Sequence, residues 1–242
     1  MGTSQSINPK SNSPTWQNLK ATVTKLSKNP SPDIHELRSF TYAFVKATGG
    51  AIRTGSGQSK TFGNAGPKSI RKMMAFISSV SSNGLSESFS SMYPSVDISQ
   101  LTVDQFINYL LVHCTQGDSL LDETAANNAM DNLLKYIFNS VDEIMDVEIL
   151  FSSASNDVLQ DWLCYFFASY IVEFSSQLFS THIFEKAANP SQISGEIFSY
   201  IKRELTEHNF NYPLRDIDWN SQQGEQLIIS IQQEILNIWS QE

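Results

Sequence analysis

Apolar residues return along most of this chain every three or four positions, the spacing of a helix with one buried face. In GEQLIISIQQEILNIWS, Ile228, Ile231, Ile235 and Ile238/Trp239 form one seam. Leu120/Leu121, Ala125, Met130, Leu133/Leu134 and Ile137 keep the same rhythm in DSLLDETAANNAMDNLLKYIFNSVDEIM, which predicts one long helix opened by Asp118. Earlier, Ser31 as N-cap, Pro32 in the first turn and Asp33 predict a helix through SPDIHELRSFTYAFVKA. Pro67 opens and Gly84 stops another, and Thr102 with Gln105 forms a capping pair ahead of TVDQFINYLLVHC. Further helices are expected over residues 157–185 and 193–207, with the polar loop NFNYPLRDIDWN leading to the last. No segment alternates long enough to make a convincing strand. The expectation is an all-α fold: a single helical domain of seven or eight helices over residues 31–242.

Composition adds a core and an arm. A 40% hydrophobic content with 15 Phe and 4 Trp is enough for a folded body. Residues 1–30 are polar and carry Pro9, Pro14 and Pro30, so they read as a disordered N-terminal arm with Trp16 as its single docking anchor. The most apolar run, WLCYFFASYIV at 162–172, is too short for a bilayer that needs about 20 apolar residues, and residues 1–15 hold no signal-like apolar stretch. A cytoplasmic protein without a membrane span is the expectation. Cys114 and Cys164 lie inside apolar runs and read as small buried hydrophobes.

The net charge of −9 is unevenly spread. Residues 1–80 carry 11 Lys/Arg against Asp33 and Glu36 alone, and residues 81–242 carry 5 against 23 acids. A basic first third on an acidic body implies either an interaction surface or attraction between the two parts of one molecule.

Candidate chemistry is sparse. TGGAIRTGSGQSKTFGNAG packs six glycines around Arg53 and Lys60, forming a Gly-rich basic loop at 48–66. Its letters approach a phosphate loop, but Ser59, not Gly, precedes Lys60-Thr61, and the segment follows a helix rather than a strand. A loop touching a partner or a nucleic-acid backbone fits better. Asp118, Asp122 and Glu123 could hold a cation, yet carboxylates in a first helical turn more often complement the dipole and cap free N–H groups. His35, His113, His182 and His208 lie far apart, and no nucleophile elbow appears. On residues alone the chain offers no enzyme.

The opening MGTSQS stands out. Loss of Met1 would bare the Gly2 amine, an unhindered nucleophile with a pKa of about 7.7–8.0. The same letters fit the myristoylation pattern with Ser6 in its last place. No polybasic patch follows at once to supply the second signal that stable membrane anchoring requires.

Three stretches together resemble the QatB family of bacterial Qat anti-phage systems: MGTSQS, YAFVKATGGAIRTGSGQSKTFGNAGPKSIRKMMAFISSV and LLVHCTQGDSLLDETAANNAM. In the last, Cys114, Gly117, Asp122, Glu123 and Ala129 match the family's pattern, and Asn127 stands where an Arg is expected. The resemblance implies a non-enzymatic component that partners a QueC-like enzyme, a KAP-type ATPase and a TatD-like nuclease. It implies no bound cofactor, but a covalent 7-deazaguanine placed on Gly2 by the QueC-like partner. Partner-binding residues expected on this basis are Gly2, Thr3, Ser4, Trp16, Arg53, Gly55, Gly57, Lys60, Lys68 and Arg71. The alternative is a nucleic-acid adaptor using Lys46, Arg53, Lys60, Lys68, Arg71 and Lys72, whose binding would weaken steeply with salt.

Overall fold

Helix α9 (Asn156–Phe179) has no polar face: Trp162, Leu163, Phe166, Phe167, Tyr170, Ile171 and Phe174 are all buried. A helix apolar all round must be enclosed by others, and the remaining helices are laid about it. The computed structural model describes residues 13–55, 62–115, 117, 120–179, 189–208 and 210–240. Among them the order is α1 (Pro14–Lys28), α2 (Ile34–Thr48), α3 (Gly50–Gly55), α4 (Ala65–Asn83) and α5 (Leu85–Met92). Then come α6 (Val103–Cys114), α7 (Leu121–Ile137), α8 (Ile144–Ser153), α9, α10 (Pro190–His208) and α11 (Gln222–Ile238). No strand occurs among the described residues.

Helix α7 packs most extensively on α9, and α10 and α4 cover other sides of it. The buried stripe of α7 begins Asp122, Ala125, Ala126, Ala129, so its first turns bring little side-chain bulk to the contact. Farther along, Met130, Leu133, Leu134 and Ile137 fill the core. Helix α4 runs through the same core with Ile70, Met73, Met74, Ile77 and Val80, and α8 lies against its C-terminal part.

Several boundaries differ from the sequence expectation, each for a local reason. The arm expected over 1–30 is helical from Pro14 to Lys28, because Leu19, Val23 and Leu26 make a narrow apolar seam that α2 buries completely. Trp16 is half-buried on that helix and is thus one of four anchors, not the only one. The rest of the expected arm, residues 1–12, lies outside the described residues. Helix α2 starts two residues later than expected, since Asp33, not Ser31, is the N-cap. The Glu36 N–H donates to Asp33 at 2.8 Å and the Asp33 N–H to Glu36 at 3.2 Å.

Of the loop expected at 48–66, residues 56–61 lie outside the described residues, and most of the described remainder is helical. Thr48 still belongs to α2, Gly49 closes that helix at φ 116°, α3 follows, and Ala65 already opens α4. The long helix expected from Asp118 divides into α7 and α8, with the Val141 N–H turning back to the Phe138 carbonyl at 3.2 Å. With α1, α3, α5 and α8 added, eleven α-helices stand among the described residues where seven or eight were expected. The capping pair Thr102/Gln105 and the stop at Gly84 hold as read, the latter at φ 83°.

Leu19 tests whether α1 belongs to the body. Leu19→Ala is expected to lower unfolding free energy by about 2–5 kcal/mol, the range for a buried Leu truncation, measured by urea denaturation. Amides of residues 18–28 should exchange slowly in the native protein. Fast exchange there, with an unchanged denaturation midpoint, would return this stretch to a loose arm.

Candidate functional site

The most constrained polar cluster sits where the glycine-rich segment enters α4. A helix begins with N–H groups that have no partner inside it, and here no side chain from Asn64 caps them. Asp122, at the start of α7, does so from across the core. Its Oδ1 accepts from the Gly63 N–H at 3.0 Å, and its Oδ2 from Asn64 at 3.0 Å and Ala65 at 2.8 Å. The Tyr170 hydroxyl of α9 donates to the same Oδ1 and accepts from the Gly63 N–H at 3.1 Å. From α11, the Gln232 amide donates to the Gly63 carbonyl at 2.9 Å. Four helices therefore meet on three consecutive residues.

Close packing holds this cluster in place. The Phe62 ring stacks on Tyr170 with centroids 4.5 Å apart and meets Phe44 and Phe174 edge-on at 5.0 and 4.8 Å. Gly66 is required here: a Cβ on it would lie 2.2 Å from the Tyr170 ring. The backbone donors that a phosphate would need at this helix start already point at a carboxylate of the same chain. The phosphate-loop letters themselves, at 56–61, lie outside the described residues. Of the acidic element, Asp122 caps the start of α4, and Asp118 lies outside the described residues.

The expected partner-binding residues separate. Gly2, Thr3, Ser4, Gly57 and Lys60 lie outside the described residues, as does Asp118. Arg53 is exposed on α3, which ends at Gly55. Lys68 is exposed and Arg71 half-exposed on the first turns of α4. Lys72, one turn on, donates from Nζ to the His113 and Thr115 carbonyls at 2.9 and 3.4 Å, neutralising the C-terminal end of α6. Lys46 lies elsewhere, on α2, with its ammonium 5.2 Å from the Tyr42 ring. No ion pair between described residues joins a cation of residues 1–80 to an acid of 81–242: Lys25 pairs with Glu36 at 3.1 Å, and the others lie within the acidic body.

Two grooves flank α2. The larger, about 650 Å³, runs between α1 and α2 past Asn18, Thr22, Lys25, Glu36, Ser39 and Tyr42. The smaller, about 320 Å³, is lined by Ile34, His35, Arg38, Tyr200, Glu204 and Trp239. Neither is near the Asp122 cluster. Sequence reasoning placed Asp122 among cap residues of its own helix and missed its partners. The available signal was its register with Ala125, Ala126 and Ala129, which puts it on the buried face of α7.

Burial governs the reactive side chains. Desolvation pushes the Cys114 thiol up to about 12 from 9.0, with Lys72 opposing weakly, and pushes Cys164 to about 12 as well. Tyr170 rises well above 10.0, first through burial and then through Asp122. Burial, with Lys72 adding to it, lowers His113. Comparison with known proteins finds no matching family model, curated protein or solved structure.

Two outcomes follow. Asp122→Ala strands the Asn64 and Ala65 N–H groups and takes the acceptor from the Tyr170 hydroxyl, and should cost about 3 kcal/mol or more, whereas Tyr170→Phe removes two bonds but leaves the Gly63 N–H on Asp122, and should cost about 1.5–3 kcal/mol. Equal, small losses in thermal melts would deny the cluster its role. For pH, a thiol whose folded value is raised contributes stability that is complete below 9.0 and is lost as pH climbs toward about 12. Denaturation midpoints should fall across that window, and less so in Cys114→Ala. Native Cys114 should resist alkylation at neutral pH.

Proposed function

We propose that this chain is a non-enzymatic component of an anti-phage complex of the Qat type. It presents Gly2 to a QueC-like enzyme that joins a 7-deazaguanine to it. In the reaction, ATP activates the deazaguanine carboxylate as an acyl-adenylate with release of pyrophosphate. The Gly2 amine then attacks that carbonyl, gives up a proton, and expels AMP as the amide forms. The activating chemistry belongs to the partner, and this chain supplies the nucleophile and a docking surface.

The reading rests on its resemblance to the QatB family, and one structural observation supports it. Helix α1 is tied to the body by Leu19, Val23 and Leu26, so Ser13 is a fixed point of departure. Gly2 stands eleven residues ahead of it, a length that reaches at most about 36–40 Å. An enzyme acting on Gly2 therefore works within about 40 Å of Ser13. The interior acid, thiols and tyrosine described above are engaged in holding helices together, in keeping with a scaffold. The KAP-type ATPase and TatD-like nuclease are the further partners this reading entails.

The test is the mass of the N-terminal peptide from protein produced with and without the QueC-like partner. A partner-dependent adduct of deazaguanine size on Gly2 is expected, and Gly2→Leu should lose both the adduct and phage protection while keeping the helical circular-dichroism signal. An unmodified glycine in both samples would refute it. An acyl adduct would point to a membrane anchor instead.

A further inference from the structure

The sequence contains a single Asn-Gly pair, Asn83–Gly84, and the fold places it at a corner. Asn83 is the exposed last residue of α4, and α5 starts immediately after Gly84. An asparagine followed by glycine sets an electrophilic side-chain carbonyl beside an unhindered backbone nitrogen. Once that nitrogen of Gly84 loses its proton, it can attack the Asn83 side-chain carbonyl carbon. The new N–C bond closes a succinimide ring as ammonia leaves. Water then opens either ring carbonyl to give aspartate or isoaspartate, so the net change is amide plus water to acid plus ammonia. Glycine favours the step because it has no Cβ to shield the nitrogen or restrict the backbone.

The closed corner holds this reaction off. The Gly84 N–H donates to the Val80 carbonyl at 2.9 Å, so the nitrogen that must be bared is spent on the last bond of α4. Asn83 belongs to the helix, and its side-chain amide donates to the Ser79 hydroxyl at 3.5 Å, back along α4 in the direction helical side chains lean. The Glu148 carboxylate of α8 accepts from the Leu85 N–H at 3.0 Å and lies 3.8 Å from where a Cβ on Gly84 would stand. A negative charge there opposes loss of the Gly84 amide proton. The corner in turn depends on a neutral residue 83. The Gly84 carbonyl accepts from the Ser88 N–H at 3.2 Å, the Ser79 and Ser88 hydroxyls meet at 2.8 Å, and α5 buries Leu85 and Phe89. A carboxylate at 83 would stand in the last turn of α4, where the helix dipole disfavours negative charge. Isoaspartate would also add a methylene to the main chain and shift the Gly84 N–H off Val80.

We propose that Asn83 is a conditional modification site: it is converted to aspartate or isoaspartate in molecules whose α4–α5 corner has opened, and the product weakens reclosure. The sequence supplies the reacting pair and the fold withholds it. Opening of this kind is local and does not require the whole molecule to unfold. The modification is therefore a lasting record that this corner has opened. The inference concerns a different part of the chain from Gly2 and does not depend on its modification.

The experiment incubates the full chain in mildly alkaline buffer, native and in urea, and follows the peptide spanning Asn83 by mass spectrometry. The readouts are the mass gain of an amide turned into an acid and the appearance of isoaspartate. Asn83 should convert in the unfolded chain, and in the native chain about tenfold or more slowly, because attack waits on opening of the corner. Glu148→Ala takes the acceptor from the Leu85 N–H and should speed the native reaction. It should keep the helical circular-dichroism signal, with amides of α5 exchanging faster and those of α9 unchanged. Asn83→Asp, which carries the product charge, should melt below the neutral Asn83→Gln. Equal rates in native and unfolded chains, or no conversion even in urea, would overturn the proposal. So would a Glu148→Ala chain that reacts no faster than wild type, or Asn83→Asp and Asn83→Gln chains that melt together.

Discussion

The Asp122 side chain is the constraint on which the arrangement of helices depends. Its two oxygens receive the Gly63, Asn64 and Ala65 N–H groups, and Tyr170 adds its hydroxyl. Backbone donors at a helix start must be satisfied wherever they are buried, because each one left bare costs about 1–3 kcal/mol. Meeting that need with a residue far along the chain joins α4, α7 and α9 at one point, and Gln232 brings in α11. Gly66 and the run of alanines on α7 follow from the same requirement, since only small residues let the helices approach closely enough.

That cluster also accounts for what the glycine-rich segment does. A glycine run opening onto a helix provides the donors for an anion, and in this molecule the anion is internal. Glycines at 49 and 50 serve geometry instead, ending α2 and starting α3 at positive φ. The basic residues that follow the segment on α4 divide by role. Lys72 stabilises the end of a neighbouring helix, whereas Lys68 and Arg71 face outward.

Viewed as a working part, the molecule has two distinct outward resources. One is the N-terminal region carried by a helix that is fastened to the body. The other is the pair Lys68 and Arg71 on the first turns of α4, exposed and half-exposed.

The sequence alone determined the helical class, the Thr102/Gln105 cap and the stop at Gly84. Each is written in a few neighbouring residues, as periodicity or as a cap whose partners lie within one turn. It did not disclose α1, whose seam of three apolar residues is too narrow to outweigh a polar composition until α2 covers it. Nor did it disclose the partition of the 118–145 pattern, where helical rhythm continues across a turn. The part played by Asp122 was beyond local reading for a further reason. A capping residue in the same turn is visible as a motif, but a carboxylate 57 residues away from Ala65 becomes a cap only when folding brings α7 against the start of α4. The tertiary structure decided which acids are structural, which cations are spent on carbonyls, and which remain facing solvent.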